Sequence, residues 1–219
     1  MPDFIIRVAN SKDHIYAERI TIQMGISAKA RGTGIAQRSP DYIKAKMDEG
    51  KAIVALSRKT LRISGFCYIE SWGGKSYVAN SGLIVFPEFR KHGLARSIKL
   101  KAFELSRQTF PQAKLFGLTT SLAVMKINSN LGYYPVTFSE LTDDNQFWKG
   151  CQSCINYEIL QSKERKNCLC TGMLFDPLEK KKKRWNFLKK LNIIERLKRI
   201  KENTFLSFHK LTQTRSVTR

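Results

Sequence analysis

The sequence predicts a mixed α/β domain of the α+β kind, with a mostly antiparallel central sheet and helices packed on it. Three observations predict this class. The strand-like runs Lys51 to Leu56, Ile63 to Trp72 and Tyr77 to Phe86 follow one another with only short turns between, as antiparallel neighbours do. Segments on both sides of them carry helical periodicity or helix start and stop signals. Hydrophobic residues make up 42% and aromatic residues 11% of the 219, enough for one sizeable core and a small appended module.

Phe4 to Ala9 (FIIRVA) reads as an opening strand, and Ser11 as the N-cap of a helix over about Asp13 to Met24. Ser27 to Arg38 holds two glycines and three bases and is expected to be irregular. Ser39-Pro40-Asp41 then starts a second helix through Met47, since serine caps and proline fits the first helical position. Gly73-Gly74-Lys75 marks the hairpin between the second and third of the central strands. After that hairpin's last strand a helix continues to Arg107, with Ile98, Ala102, Phe103 and Leu105 facing inward. Leu115 to Thr119 is a strand, Ala123 to Leu131 a short helix closed by Gly132, and a last strand follows.

Charge divides the chain unevenly. Residues 180–219 hold 14 Lys and Arg against Glu195 and Glu202, a balance of +12 out of a total of +21. The sequence thus reads as three parts: a main domain at 1–145, a cysteine-rich extension at 146–178 and a basic amphipathic tail at 179–219. No run approaches eighteen apolar residues and the N-terminus does not resemble a secretory signal, so a cytoplasmic protein without a transmembrane segment is expected.

Asn80 to Ala95 (NSGLIVFPEFRKHGLA) is the stretch richest in chemistry. An apolar strand leads through a Pro-initiated turn to Arg90-Lys91-His92-Gly93-Leu94-Ala95 and a helix. This layout puts free backbone N–H groups and bases at a helix N-terminus, where the dipole favours an anion. The loop is neither a P-loop nor a G-x-G-x-x-G. R-x-x-G-x-A after a strand instead resembles the pyrophosphate loop of the GNAT superfamily, the acyl-CoA-dependent N-acyltransferases. Val124 to Tyr133 (VMKINSNLGY) resembles the closing helix and turn of the same superfamily, with its Leu-Gly-aromatic ending. Asn128 stands where many members carry a tyrosine that protonates the departing thiolate. The resemblance covers about residues 4–140.

Within that superfamily the chain is similar to the short N-acetylglutamate synthase-like acyltransferases of bacterial arginine biosynthesis. That likeness lies in SAKARGTGIAQRSPDYIKAKM, GFCYIESW, KSYVANSGLIV and LTTSLAVMKINSNLGYYPVTFSELT. It implies a GNAT fold, L-glutamate as acceptor, and acetyl-CoA or a related acyl-CoA such as succinyl-CoA as donor. It also implies the sites. The loop Arg90, Lys91, His92, Gly93, Leu94, Ala95 and Arg96 would hold the pyrophosphate, and Leu83, Ile84 and Val85 would pair with the pantetheine. A backbone N–H near Val85 would polarise the thioester carbonyl, and Asn128 would hydrogen-bond pantetheine or the thiolate sulfur. Glu70, two residues before Trp72, is the candidate base, in a partly apolar setting able to lift a carboxylate pKa. Tyr133 and Tyr134 are spare proton donors. Lys29, Arg31 and Arg38 are the candidate grips for a dicarboxylic amino acid, arginine being suited to paired hydrogen bonds with carboxylates. Homodimer formation is a further expectation of the resemblance. A GNAT enzyme with another small-amine acceptor, and a catalytically silent GNAT-fold binding module, stay open beside this reading.

Five cysteines in a cytosolic chain do not suggest disulfides. Cys67 reads as a small buried hydrophobe. Cys151, Cys154, Cys168 and Cys170 form C-x2-C-x13-C-x-C, near the spacing of a structural zinc site and equally compatible with free or redox-active thiols. In the tail, Trp185, Leu188, Leu191, Ile194, Leu197 and Ile200 recur at threes among lysines and arginines. Such a helix suits an anionic surface or a partner, and a solvated extension is equally consistent with it.

Overall fold

The first five strands begin where an apolar run is fenced by turn residues, and the computed structural model, which describes residues 3–30 and 37–179, follows that punctuation closely there. The strands are β1 (Phe4–Val8), β2 (Ala52–Ser57), β3 (Ile63–Trp72), β4 (Tyr77–Val85), β5 (Lys114–Thr119), β6 (Tyr134–Val136) and β7 (Thr171–Phe175). They form one seven-stranded sheet in the order β1-β2-β3-β4-β5-β7-β6. All pairs are antiparallel except β4 and β5, which run parallel. Gly73, Gly74 and Lys75 turn β3 into β4 with φ of 54°, 62° and 72°, a conformation that favours glycine.

The helices are α1 (Ala17–Ala30), α2 (Pro40–Asp48), α3 (Leu94–Thr109), α4 (Leu122–Asn130), α5 (Asn145–Lys149) and α6 (Tyr157–Ser162). Ser39 caps α2 through the Tyr42 N–H, as its sequence predicts. The first helix differs from expectation at both ends. A 3-10 turn over Ser11–Tyr16 precedes it, capped by Asn10 in a reciprocal box with Asp13, whose carboxylate also takes two bonds from Arg7 at 2.7 and 2.9 Å. At the other end α1 runs on to Ala30, because Ser27 and Ala28 are buried on its inner face and nothing there breaks a helix.

Alternation along β2 sorts its side chains onto both faces. Val54 and Leu56 join Ile20, Met24, Ile43 and Met47 under α1 and α2. Ile53 and Ala55 join Ile98, Ala102, Leu115 and Met173 under α3. A third cluster at the far end packs Phe116, Phe138, Trp148, Leu160 and Leu174.

The segment expected as an appended extension contributes to the sheet itself. β7 lies between β5 and β6, with Leu115 opposite Phe175 and Tyr134 opposite Leu174. Residues 1–178 form one compact unit. The basic tail with its apolar stripe from Trp185 to Ile200 lies outside the described residues, as do Arg31 and the glycines at 32 and 34. Among the described residues no helix is long and apolar enough to cross a membrane.

Candidate functional site

The parallel pairing of β4 and β5 lasts three residues, Tyr77 to Ala79 against Lys114 to Phe116, and then stops. From Asn80 onward β4 has no register partner on β5, so the two strands diverge and open a cleft in the middle of the sheet. The backbone groups released there have to be satisfied some other way. The ammonium of Lys99, on the inner face of α3, donates to the Asn80 carbonyl at 3.3 Å and to its side-chain Oδ1 at 3.4 Å. Tyr133 donates its hydroxyl to the same Oδ1 at 3.0 Å, and Asn80 Nδ2 donates to Ser106 at 2.8 Å. Lys99 is 2% exposed, and burial lowers its pKa against a smaller opposing effect of Cys67. Burial pushes the Tyr133 phenol far up, which makes it a poor proton donor to solvent-side chemistry.

Within the divergent part of β4 the ladder to β3 slips. Phe66 faces Ile84 and Tyr68 faces Ser81, so β4 carries one extra residue at Gly82–Leu83. Gly82 has φ of 66°, and a Cβ there would meet the Tyr68 ring at 2.6 Å. The bulge is therefore written into the sequence by one glycine and sealed by one tyrosine ring.

β4 then runs through the turn Pro87–Phe89 into the loop before α3. Lys91, with φ of 67°, and Gly93, with φ of 72°, reverse the chain, and Gly93 caps α3 with no side chain over its end. The first turn of α3 contains no acid. The Arg96 and Ser97 N–H groups bond back to the Gly93 carbonyl at 3.0 and 3.4 Å, and the N–H groups ahead of them, which a helix cannot pair internally, make it an anion-friendly terminus. Lys91, His92 and Arg96 are exposed around it. Arg90, expected to supply charge here, is committed internally: its Nε donates to the Val85 carbonyl at 3.0 Å and Nη2 to Ser27 at 3.2 Å. It pins the loop to the end of β4 instead.

On the α1–α2 side of the sheet, side chains from α2 and β3 make a polar cluster. Arg38 donates through Nε to the Tyr68 hydroxyl at 3.1 Å and lies over the Tyr42 ring. Tyr42 donates to Glu70 at 2.5 Å, and Lys46 pairs with Glu70 at 3.0 Å. Burial, with Tyr68 and Glu70 adding to it, pushes the Tyr42 phenol far above its ordinary range. The partly apolar setting expected for Glu70 is replaced by a polar one, because Tyr42 and Lys46, one turn apart on α2, occupy both its oxygens. Glu70 is the anchor of this cluster. Tyr68 links the cluster to the cleft, its hydroxyl at Arg38 and its ring against Gly82. Lys29 is exposed in the last turn of α1.

Asn128 lies on the inner side of α4 and is 1% exposed, and its Oδ1 has no donor among the described residues. A buried acceptor without a partner costs about 1–3 kcal/mol, which marks it as a place where an incoming N–H would be welcome.

No family model matches the sequence, and no curated protein matches it by sequence. Solved structures match in fold. N-acetylglutamate synthase from Neisseria gonorrhoeae, complexed with coenzyme A and N-acetyl-glutamate, superposes with a TM-score of 0.55 at 14% identity, over 79% of this chain and 35% of its own. Rv2747 from Mycobacterium tuberculosis, in complex with CoA, gives 0.55 at 13% identity over 78% of this chain and 98% of its own. The chain has the GNAT fold. Diaminobutyrate acetyltransferase EctA from Paenibacillus lautus, in complex with its substrate and coenzyme A, gives 0.53 at 9% identity over 80% and 95%. The chain spans about a third of the length of the Neisseria enzyme.

The fold brings Leu83, Ile84, Val85 and the loop 91–96 along one path from the bulge to the α3 terminus. It sets Arg38 one tyrosine away from that path. Two residues of consequence escaped the sequence reading. Lys99 sits in a run, Lys99-Leu100-Lys101, that reads as a solvated face, and Tyr68 reads as an ordinary strand aromatic. The four clustered cysteines converge on one small cavity, but among the described residues no three His, Cys, Asp or Glu side chains are in place to hold a metal ion. A zinc tetrad, one of the two readings of their spacing, is thus not preformed among the described residues.

Proposed function

We propose that this chain is an acyl-CoA-dependent N-acyltransferase that acylates the α-amine of a small amino acid, L-glutamate foremost. The observation that carries the reading is the opening between β4 and β5 with the Gly82 bulge at its centre and the α3 terminus, free of any side-chain cap, at its mouth. Pyrophosphate suits the α3 terminus, where backbone N–H groups need no side chain to reach an anion. The unpaired edge of β4 from Leu83 to Val85 suits the pantetheine amides, in the manner of strand addition. The residue expelled from the ladder by the bulge supplies a backbone N–H for the thioester carbonyl, whose oxygen gains charge as the amine attacks. Asn128 Oδ1 accepts an amide N–H of the pantetheine arm. Arg38 grips an acceptor carboxylate, held in place by Tyr68 beneath it and the Tyr42 ring beside it.

Two substitutions separate the halves of this site. Asn128→Leu removes an unpartnered buried acceptor, so thermal stability is expected to hold or rise while KM for acyl-CoA increases about 5- to 10-fold. Arg38→Gln is expected to raise KM for glutamate about 10- to 100-fold and leave KM for acyl-CoA within about 2-fold. Steady-state assays of coenzyme A release, with acetyl-CoA and succinyl-CoA against a panel of amino acids, measure both. Coenzyme A binding with no turnover on any acceptor would instead select a silent binding module. Turnover on a cationic amine with indifference to Arg38 would select another acceptor.

A further inference from the structure

Nothing in the acyltransfer site uses the four cysteines between residues 151 and 170. Cys151 lies in the 3-10 turn Gly150–Ser153, Cys154 follows that turn directly, and Cys168 and Cys170 immediately precede β7. Although Cys154 and Cys168 are separated by α6, all four thiols line one cavity of about 20 Å³. A space of that size takes a single atom or ion and no organic ligand. The rest of its wall is dominated by Leu118, Phe138, Tyr157 and Leu160, so sulfur is the main donor type facing it. None of the four is in a disulfide.

The backbone around the first pair is arranged for sulfur. Cys154 N–H donates to the Cys151 carbonyl at 2.9 Å, closing the C-x-x-C segment into a turn that presents both thiols on the cavity side. Asn156 N–H donates to Cys154 Sγ at 3.4 Å, a contact that becomes stronger when the sulfur carries charge. Cys168 Sγ donates to the Asn156 carbonyl at 3.8 Å, so the second pair is tethered to the same turn.

We infer that Cys151, Cys154, Cys168 and Cys170 bind one zinc ion as a tetrathiolate, which clips the 150–154 turn to the leading end of β7. Four soft donors with no carboxylate or imidazole among them select a tetrahedral, thiophilic ion. The thiols now engage backbone groups and one another, and closing on the ion takes rotation of their side chains within the cavity. With four sulfurs bound there is no open coordination position, so the ion is structural. Its benefit falls on β7, a short strand wedged between β5 and β6 that holds the far half of the sheet together.

The full chain, purified without a metal-affinity tag, is expected to carry about one zinc per chain by elemental analysis. Cys154→Ser and Cys168→Ser are expected to reduce that content to background. Should either variant fail to fold, cobalt exchanged into the unmodified chain gives the second readout: the strong visible bands of tetrahedral cobalt thiolate are expected. Absence of zinc with four titratable thiols, recovery of the cysteines as disulfides, iron in zinc's place, or a cobalt spectrum of oxygen ligation would each overturn the proposal. These readouts need no substrate, so they stand or fall separately from the acyltransferase reading.

Discussion

Gly82→Ala is expected to lower kcat about 100-fold and to cost about 2–5 kcal/mol of stability. Two separate penalties meet at this position. Alanine at φ of 66° carries the left-handed strain that glycine avoids, of about 1–2 kcal/mol. Its Cβ would also stand 2.6 Å from Cε1 and 2.8 Å from Cδ1 of Tyr68, too close for either atom to stay where it is. Tyr68 cannot yield freely, since it is buried in the α1–α2 core and its hydroxyl is tied to Arg38. Relief therefore comes from flattening the bulge, which withdraws the backbone N–H offered to the thioester and displaces the acceptor grip together. Removing one such donor typically costs a factor of about 100–1,000. Gly25→Ala is the matched control, because Gly25 lies inside α1 with nothing within 4 Å of a new Cβ. It is expected to gain about 0.5–1 kcal/mol and leave kcat unchanged. Thermal unfolding and steady-state kinetics on the two variants read both effects.

Lys99→Met is expected to change the pH dependence of stability more than any other single substitution in the core. A buried lysine with no carboxylate beside it among the described residues is penalised when charged, and burial lowers its pKa in the folded chain. At this site the unfolded chain then holds more protons between the lowered pKa and about 10.4, so the lysine's contribution to stability rises with pH through that window. Below the lowered pKa the penalty is present in full. The slope approaches about 1.4 kcal/mol per pH unit where only the unfolded state is protonated. Cys67 and Tyr133, the other titratable groups facing Lys99, are both raised by burial. Their own effect on the profile has the opposite sign and is carried by both variants, so the difference between wild type and Lys99→Met isolates the lysine. The methionine variant loses this slope and also leaves the Asn80 carbonyl without its donor. Denaturant titrations from pH 7 upward are expected to show wild type gaining on Lys99→Met as pH rises. Parallel profiles would mean that Lys99 is solvated.

The strands and the start of α3 were legible because their signals are local. Apolar runs separated by short turns mark β2 to β4, Gly73-Gly74 marks the hairpin between the last two, and Gly93 marks the point where the chain reverses into a helix. What stayed hidden depends on partners distant in sequence. Lys99 is buried because β4 leaves β5 after Ala79 and a carbonyl there needs a donor; no pattern within α3 announces that need. Glu70 looks like a free strand-end carboxylate until α2 brings Tyr42 and Lys46 to it. Arg90 looks like a phosphate ligand until Ser27 and the Val85 carbonyl claim it. β7 is five residues long and pairs with a strand some fifty positions earlier, so a cysteine-rich stretch masked a strand of the central sheet. Charge and the resemblance together pointed to residues 29–38 for the acceptor. Of the two candidates among the described residues, Lys29 and Arg38, it is Arg38 that has the half-buried, doubly supported setting that fits recognition of a carboxylate.

Binding of acyl-CoA along the path from the Gly82 bulge to the α3 terminus is measured by amide hydrogen exchange with and without coenzyme A. Protection is expected at residues 82–85 and 91–96, with the α1–α2 face around Tyr42 unchanged until glutamate is added. Exchange unaltered at both segments under saturating coenzyme A, or protection confined to another part of the chain, would contradict the placement of the site.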